Sequence, residues 1–248
     1  MTEIKRYTLL DILRGMSVIS MIFYHAMWDI VNIFGVRADW FYSPMSVVWQ
    51  HSIRWGFVLL SGFCWSMGKN KVKRALIVLA DSVIISIVTA VFMPQNFILF
   101  GVLSFIGTAM LLTVLISRFF KKINPYMGML CCAVLFIFLF SVNDKAVGIW
   151  NIKLFSLPAW LYRNYFTAYL GFPHDDFYSP DYVPVFPWIF MFWMGYFLYH
   201  IFKRKCLLNH LSYFRIKPME YIGRNSLIIY MVHQPIVYVI LYLWFAYF

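Results

Sequence analysis

Apolar residues along this chain come in long runs, with polar and basic residues gathered in the short stretches between them. Seven runs have a length near 20 residues, enough to cross a bilayer as a helix, at roughly 14–35, 46–68, 75–93, 97–117, 126–142, 184–202 and 221–245. The pattern predicts an all-α polytopic membrane protein of about 7 transmembrane helices. The stretch from Asn143 to Pro184 is different. Its segment KLFSLPAWLYRNYFTAYLGF is almost long enough to span, but a crossing there would place the acidic HDDFYSPD in the cytosol and Lys203, Arg204 and Lys205 outside. Both moves oppose the positive-inside pattern. The segment therefore reads as an outer-face interfacial or re-entrant helix with Arg163 at a polar boundary, followed by a loop over the outer mouth. No repeat, low-complexity tract or soluble domain interrupts the pattern, so 1–248 reads as a single transmembrane domain.

Composition agrees. The chain is 62% hydrophobic and 12% charged, with mean hydropathy +0.73, which excludes an ordinary soluble domain. Aromatic residues make up 21%, and many Trp and Tyr stand near the ends of the runs, where a ring sits at headgroup level. Met1 to Leu13 is polar and charged, unlike a cleavable signal, so the first span reads as its own targeting signal. Lys and Arg number fifteen in the N-terminus to Arg14 and the 69–74, 118–122 and 203–217 loops, against four (Arg37, Lys145, Lys153, Arg163) in the opposite loops. This places the N-terminus in the cytosol and the C-terminus outside.

The net charge of +11 is spread over short loops with no basic domain, so it reads as topology and attraction for an anionic cytosolic ligand, not as nucleic-acid binding. Cys64, Cys131, Cys132 and Cys206 lack metal-ligand spacing and read as packed thiols; no metal site is expected.

Ionisable groups inside apolar spans are expensive and mark function. In RYTLLDILRGMSVISMIFYHAMWD, Arg14 and His25 stand about three helical turns apart on one face, roughly 16 Å along the axis, with Asp11 one turn before and Asp29 one turn after. Asp29 at i+4 is placed to hold the His25 imidazole in its protonated form, as a general base requires. The last span carries GRNSLIIYMVHQP, with Ser226, Tyr230 and His233 at spacings of four and three, and His233 at nearly the depth of His25. Pro235 just beyond is placed to bend the helix and open a cavity. The alternative for both clusters is polar packing between helices. Arg54, one turn from His51, is placed to hold an anionic group or to pair with Asp29, and Asp81 to neutralise a nearby arginine.

The segments LDILRGMSVISMIFYHAMWD, FVLLSG, FGVLSFIG, DYVPVFPWIFMFWMG and IGRNSLIIYMVHQP, in that order, resemble small bacterial relatives of the heparan-alpha-glucosaminide N-acetyltransferase catalytic domain. The element of Arg, ten residues and His, and the late SLxxYxxH pattern, are also similar to membrane acyltransferases that O-acetylate cell-surface sugars. The resemblance implies that Arg14 and His25 fall on functional positions of the first motif, and Ser226 and His233 on the last helix. It departs at the base: the lysosomal enzyme carries asparagine where His25 stands, and its luminal histidine has no counterpart here. The identity of the base stays open.

Together these readings predict transfer of an acyl group, acetyl by resemblance, from cytosolic acyl-CoA to a sugar or glycan amine or hydroxyl on the outer face. Arg14, Arg224, Lys121 and Lys122 would attract the CoA phosphates. His25 would deprotonate the acceptor, with Asp29 steadying it and His233, Tyr230 or Ser226 donating to the oxyanion. An acetyl-histidine intermediate is the other route, and association as a homodimer is left open. A solute or proton-coupled transporter and a haem protein ligated by His25 and His233 are the competing classes.

Overall fold

The computed structural model describes residues 7–149 and 152–247. Lys5 and Arg6, which enter the charge count, lie outside the described residues, as do Trp150 and Asn151. Nine α-helices and one β-hairpin are formed among the described residues: α1 (Thr8–Asn32), α2 (Pro44–Trp65), α3 (Lys71–Phe92), α4 (Val102–Phe120), α5 (Pro125–Phe138), β1 (Ala146–Ile149), β2 (Ile152–Ser156), α6 (Tyr165–Leu170), α7 (Trp188–Arg204), α8 (Lys217–Arg224) and α9 (Ser226–Tyr247). Among the described residues, five stretches are long and apolar enough to cross a membrane: α1, α3, α4, Pro125–Asp144 and α9. The expected count of seven is not reached by this measure. In α2 the polar run Gln50, His51, Ser52 and Arg54 dilutes an otherwise spanning helix, and α7 has only 17 residues. The chain is nonetheless an integral membrane protein.

Two compact units are present, Met1–Phe57 with Lys203–Phe248, and Val58–Phe202. In the first unit, α1 and α8 cross backbone to backbone. A Cβ on Gly15 would lie 2.3 Å from the Met219 carbonyl oxygen, and one on Gly223 only 1.8 Å from that of Asp11. No side chain fits between them. Thr8 Oγ1 donates to the Phe214 carbonyl (2.6 Å), tying the start of α1 to the loop before α8. Contacts between α1 and α9 advance together, from His25 with His233 to Phe34 stacked 4.7 Å from Phe245, so these helices run parallel. The Pro44–Phe57 part of α2 runs antiparallel to α1, with Gly56 against Ser17 and Trp49 Nε1 donating to Ser20 Oγ (2.8 Å).

In the second unit, Gly62 and Gly195 let α2 and α7 approach closely, and Phe120 packs among Trp193, Tyr196 and Phe197. Helices α3 and α4 pack at Gly107, whose missing side chain admits Leu79 and the Ala75 carbonyl. The outer-face helix expected between Asn143 and Pro184 is corrected. Ala146–Ile149 and Ile152–Ser156 form an antiparallel hairpin with an irregularity at Val147/Gly148, and only Tyr165–Leu170 is α-helical. The β-branched Ile152 and the aromatic Phe155 suit a strand. The short α6 starts from an Asn164–Thr167 capping box and stops at Gly171, where φ is +128°. The last predicted span, 221–245, is likewise two helices with a turn at Asn225.

Candidate functional site

Within the first unit, two polar layers lie along α1. The lower one sits where α1 crosses α8. Arg14 Nη1 lies 3.4 Å from Asp11 Oδ1, Arg224 Nε 3.6 Å from Asp11 Oδ2, and Arg224 Nη2 donates to Glu220 Oε2 at 2.9 Å. Asp11 and Glu220 are buried, at 7% exposure each. Arg14 and Arg224 thus both reach Asp11, and Arg224 also reaches Glu220. A phosphate gathered by Arg14 or Arg224 would share the guanidinium with these carboxylates.

The upper layer, about three turns on, joins α1 to α9. The His25 and His233 rings lie 5.0 Å apart, with the Tyr230 ring 5.6 Å from His233. His233 Nδ1 sits 2.7 Å from the Tyr230 carbonyl oxygen. A carbonyl can only accept, so Nδ1 carries the proton and Nε2 is the basic nitrogen of the neutral ring. His233 is buried and His25 half-buried. Arg54, on the adjacent part of α2, acts electrostatically on His25, His51 and Tyr24. Tyr24 packs edge-on against Trp49 at 5.2 Å and lies tilted against Phe41 at 5.4 Å, walling this layer with aromatics.

Asp29 is fully buried, but not as the partner of His25. Both its oxygens accept from Gln234 Nε2, at 2.8 and 3.1 Å. Among the described residues no ion pair joins Asp29 to His25 or to Arg54, so both expected pairings are corrected: the i+4 spacing puts the carboxylate on the α9 side, where Gln234 reaches it first. Asp81 likewise has no ion pair among the described residues. Ser226 opens α9 two turns before His233, roughly 10 Å along the axis, and lies outside the immediate histidine layer. Helix α9 continues through Pro235 to Tyr247. Gln234 and Glu220 were not singled out by the sequence reading, although a glutamine beside His233 in an apolar helix is a legible signal of a buried polar partner.

Nothing among the described residues groups three or more His, Cys, Asp or Glu side chains in a way that would hold a metal ion. A comparison with curated proteins and with solved structures finds no match. The family model for heparan-alpha-glucosaminide N-acetyltransferase, catalytic, matches residues 6–235, which takes in both polar layers. The chain therefore belongs to the heparan-alpha-glucosaminide N-acetyltransferase catalytic family, and is a membrane protein of acetyltransferase type.

Proposed function

We propose that this protein moves an acetyl group from cytosolic acetyl-CoA to an amine or hydroxyl of a sugar or glycan on the outer face of a bacterial inner membrane. The observation that carries the proposal is the His25–His233 pair, with the His233 tautomer fixed by the Tyr230 carbonyl. The acceptor O–H or N–H gives its proton to His233 Nε2 as its lone pair attacks the thioester carbonyl. Arg54 and His25 face the side on which the oxyanion forms, and the positive charge of Arg54 favours it. The intermediate collapses by breaking the C–S bond, and the departing thiolate takes the proton back from His233. Asp29 acts through Gln234, setting the rotation of α9 and so the direction of the His233 ring. Arg14 and Arg224, with Asp11 and Glu220, brace the cytosolic end of α1 below the reacting layer.

Purified protein mixed with labelled acetyl-CoA and a panel of amino sugars and glycans tests the reading. Label should appear in an acceptor, together with free CoA. Label in no acceptor and no release of CoA from folded protein would overturn it, and solute flux independent of CoA would favour the transporter class instead.

A further inference from the structure

The second unit carries seven basic side chains, Lys69, Lys71, Lys73, Arg74, Arg118, Lys121 and Lys122, at the start of α3 and the end of α4. None has an ion pair among the described residues. Three basic residues elsewhere do hold carboxylates: Arg14 and Arg224 lie against Asp11, Arg224 also against Glu220, and Lys145 holds Asp175 at 2.5 Å. No Asp or Glu occurs from 40 to 80 or from 82 to 143, and Asp81 lies ten residues along α3 from Lys71, about 15 Å. One of these charges, that of Lys71, is held in place. Lys71 Nζ lies 3.5 Å from the centre of the Trp65 ring. Trp65 is 3% exposed and donates from Nε1 to the Met110 carbonyl at 3.2 Å, so the ring under the ammonium is fixed. Lys121 acts on Lys71 as a like charge, and the Arg74 guanidinium lies against Gly68 in the same turn. Like charges held together without a carboxylate are unfavourable until an anion arrives.

We propose that Lys71, Arg74, Lys121 and Lys122 form a phosphate-binding site. Lysines act on phosphate as point charges and do not need the bidentate geometry that a carboxylate partner would favour. Two sources present phosphate at a cytosolic membrane surface: the phosphates of acyl-CoA, an arm that rests on the acetyl-CoA reading above, and the headgroup of an anionic phospholipid.

The test measures binding of CoA and of 3′-dephospho-CoA by calorimetry, and retention of phosphatidylglycerol in native mass spectra. It compares the wild-type protein with a Lys71→Gln/Lys121→Gln variant. If the site holds the donor, CoA affinity falls about tenfold or more in the variant, with a smaller loss for 3′-dephospho-CoA. If it holds a headgroup, CoA binding is unchanged and phosphatidylglycerol is lost. Wild-type protein that binds no CoA but loses phosphatidylglycerol on substitution keeps the site and removes the acetyl-CoA reading. Equal binding of both ligands by wild type and variant overturns the site and leaves that reading standing, and binding of neither ligand by the wild type overturns the site as well. Should loss of the Trp65 contact unfold Lys71→Gln, the exposed pair Lys121→Gln/Lys122→Gln carries the same comparison.

Discussion

His233 is oriented by its own helix: Nδ1 meets the carbonyl of Tyr230, three residues back, and the ring turns Nε2 away from that bond. His233→Ala should lower acetyl transfer by about 10²–10⁴-fold while acetyl-CoA binding is retained, read by single-turnover transfer and equilibrium binding side by side. His25→Ala should also cut transfer; full activity in both variants would remove the histidine pair from the chemistry. Asp29 makes a second claim at this scale. Gln234→Leu strips the described donor from a fully buried carboxylate and should cost about 1–3 kcal/mol, seen as a lower melting temperature in detergent. Adding Asp29→Asn should restore part of that loss by removing the stranded charge. A double variant no more stable than Gln234→Leu alone would show that the pair is not what holds α1 to α9. That the two histidines meet was legible because their spacing along two spans sets them at one depth. Gln234 was not, because spacing along α1 names the residues that share its face but not which neighbouring helix arrives there.

The crossing of α1 and α8 depends on two positions that carry no side chain. Gly223→Ala would push a methyl group into the Asp11 carbonyl, and one of the helices must then move. The expected result is a loss of about 1–3 kcal/mol of stability, with transfer reduced in the protein that remains folded. Thermal unfolding in detergent checks the first part, and an unchanged melting temperature would contradict the close crossing. At this scale the long runs at 75–93, 97–117 and 126–142 were read from hydropathy with boundaries only a few residues off. The region around 146–156 was not, since a run of aromatic and β-branched residues is apolar whether it forms a helix or a strand. Only pairing with Ala146–Ile149 decides for the strand, and pairing is not visible in a single segment. The turn at Asn225 was also hidden, because both sides of it continue the same apolar pattern.

At the scale of the molecule, loop charge predicts a cytosolic 69–74 loop and an outer 174–181 loop. In a variant without native cysteines, a maleimide that does not cross membranes should label Ser179→Cys in intact cells and miss Lys71→Cys. Labelling of Lys71→Cys from outside would reverse the orientation and the direction of transfer with it. In the proposed reaction this orientation and the histidine layer act together, with acetyl-CoA on one side, glycan on the other, and His233 between them. The most direct measurement uses sealed vesicles of known orientation, with labelled acetyl-CoA supplied only to the cytosolic face and an accepting glycan only to the outer face. Wild-type protein should pass label to the glycan and the folded His233→Ala variant should not. Transfer at equal rates by the two proteins, or no transfer by the wild type in either orientation, would contradict the account.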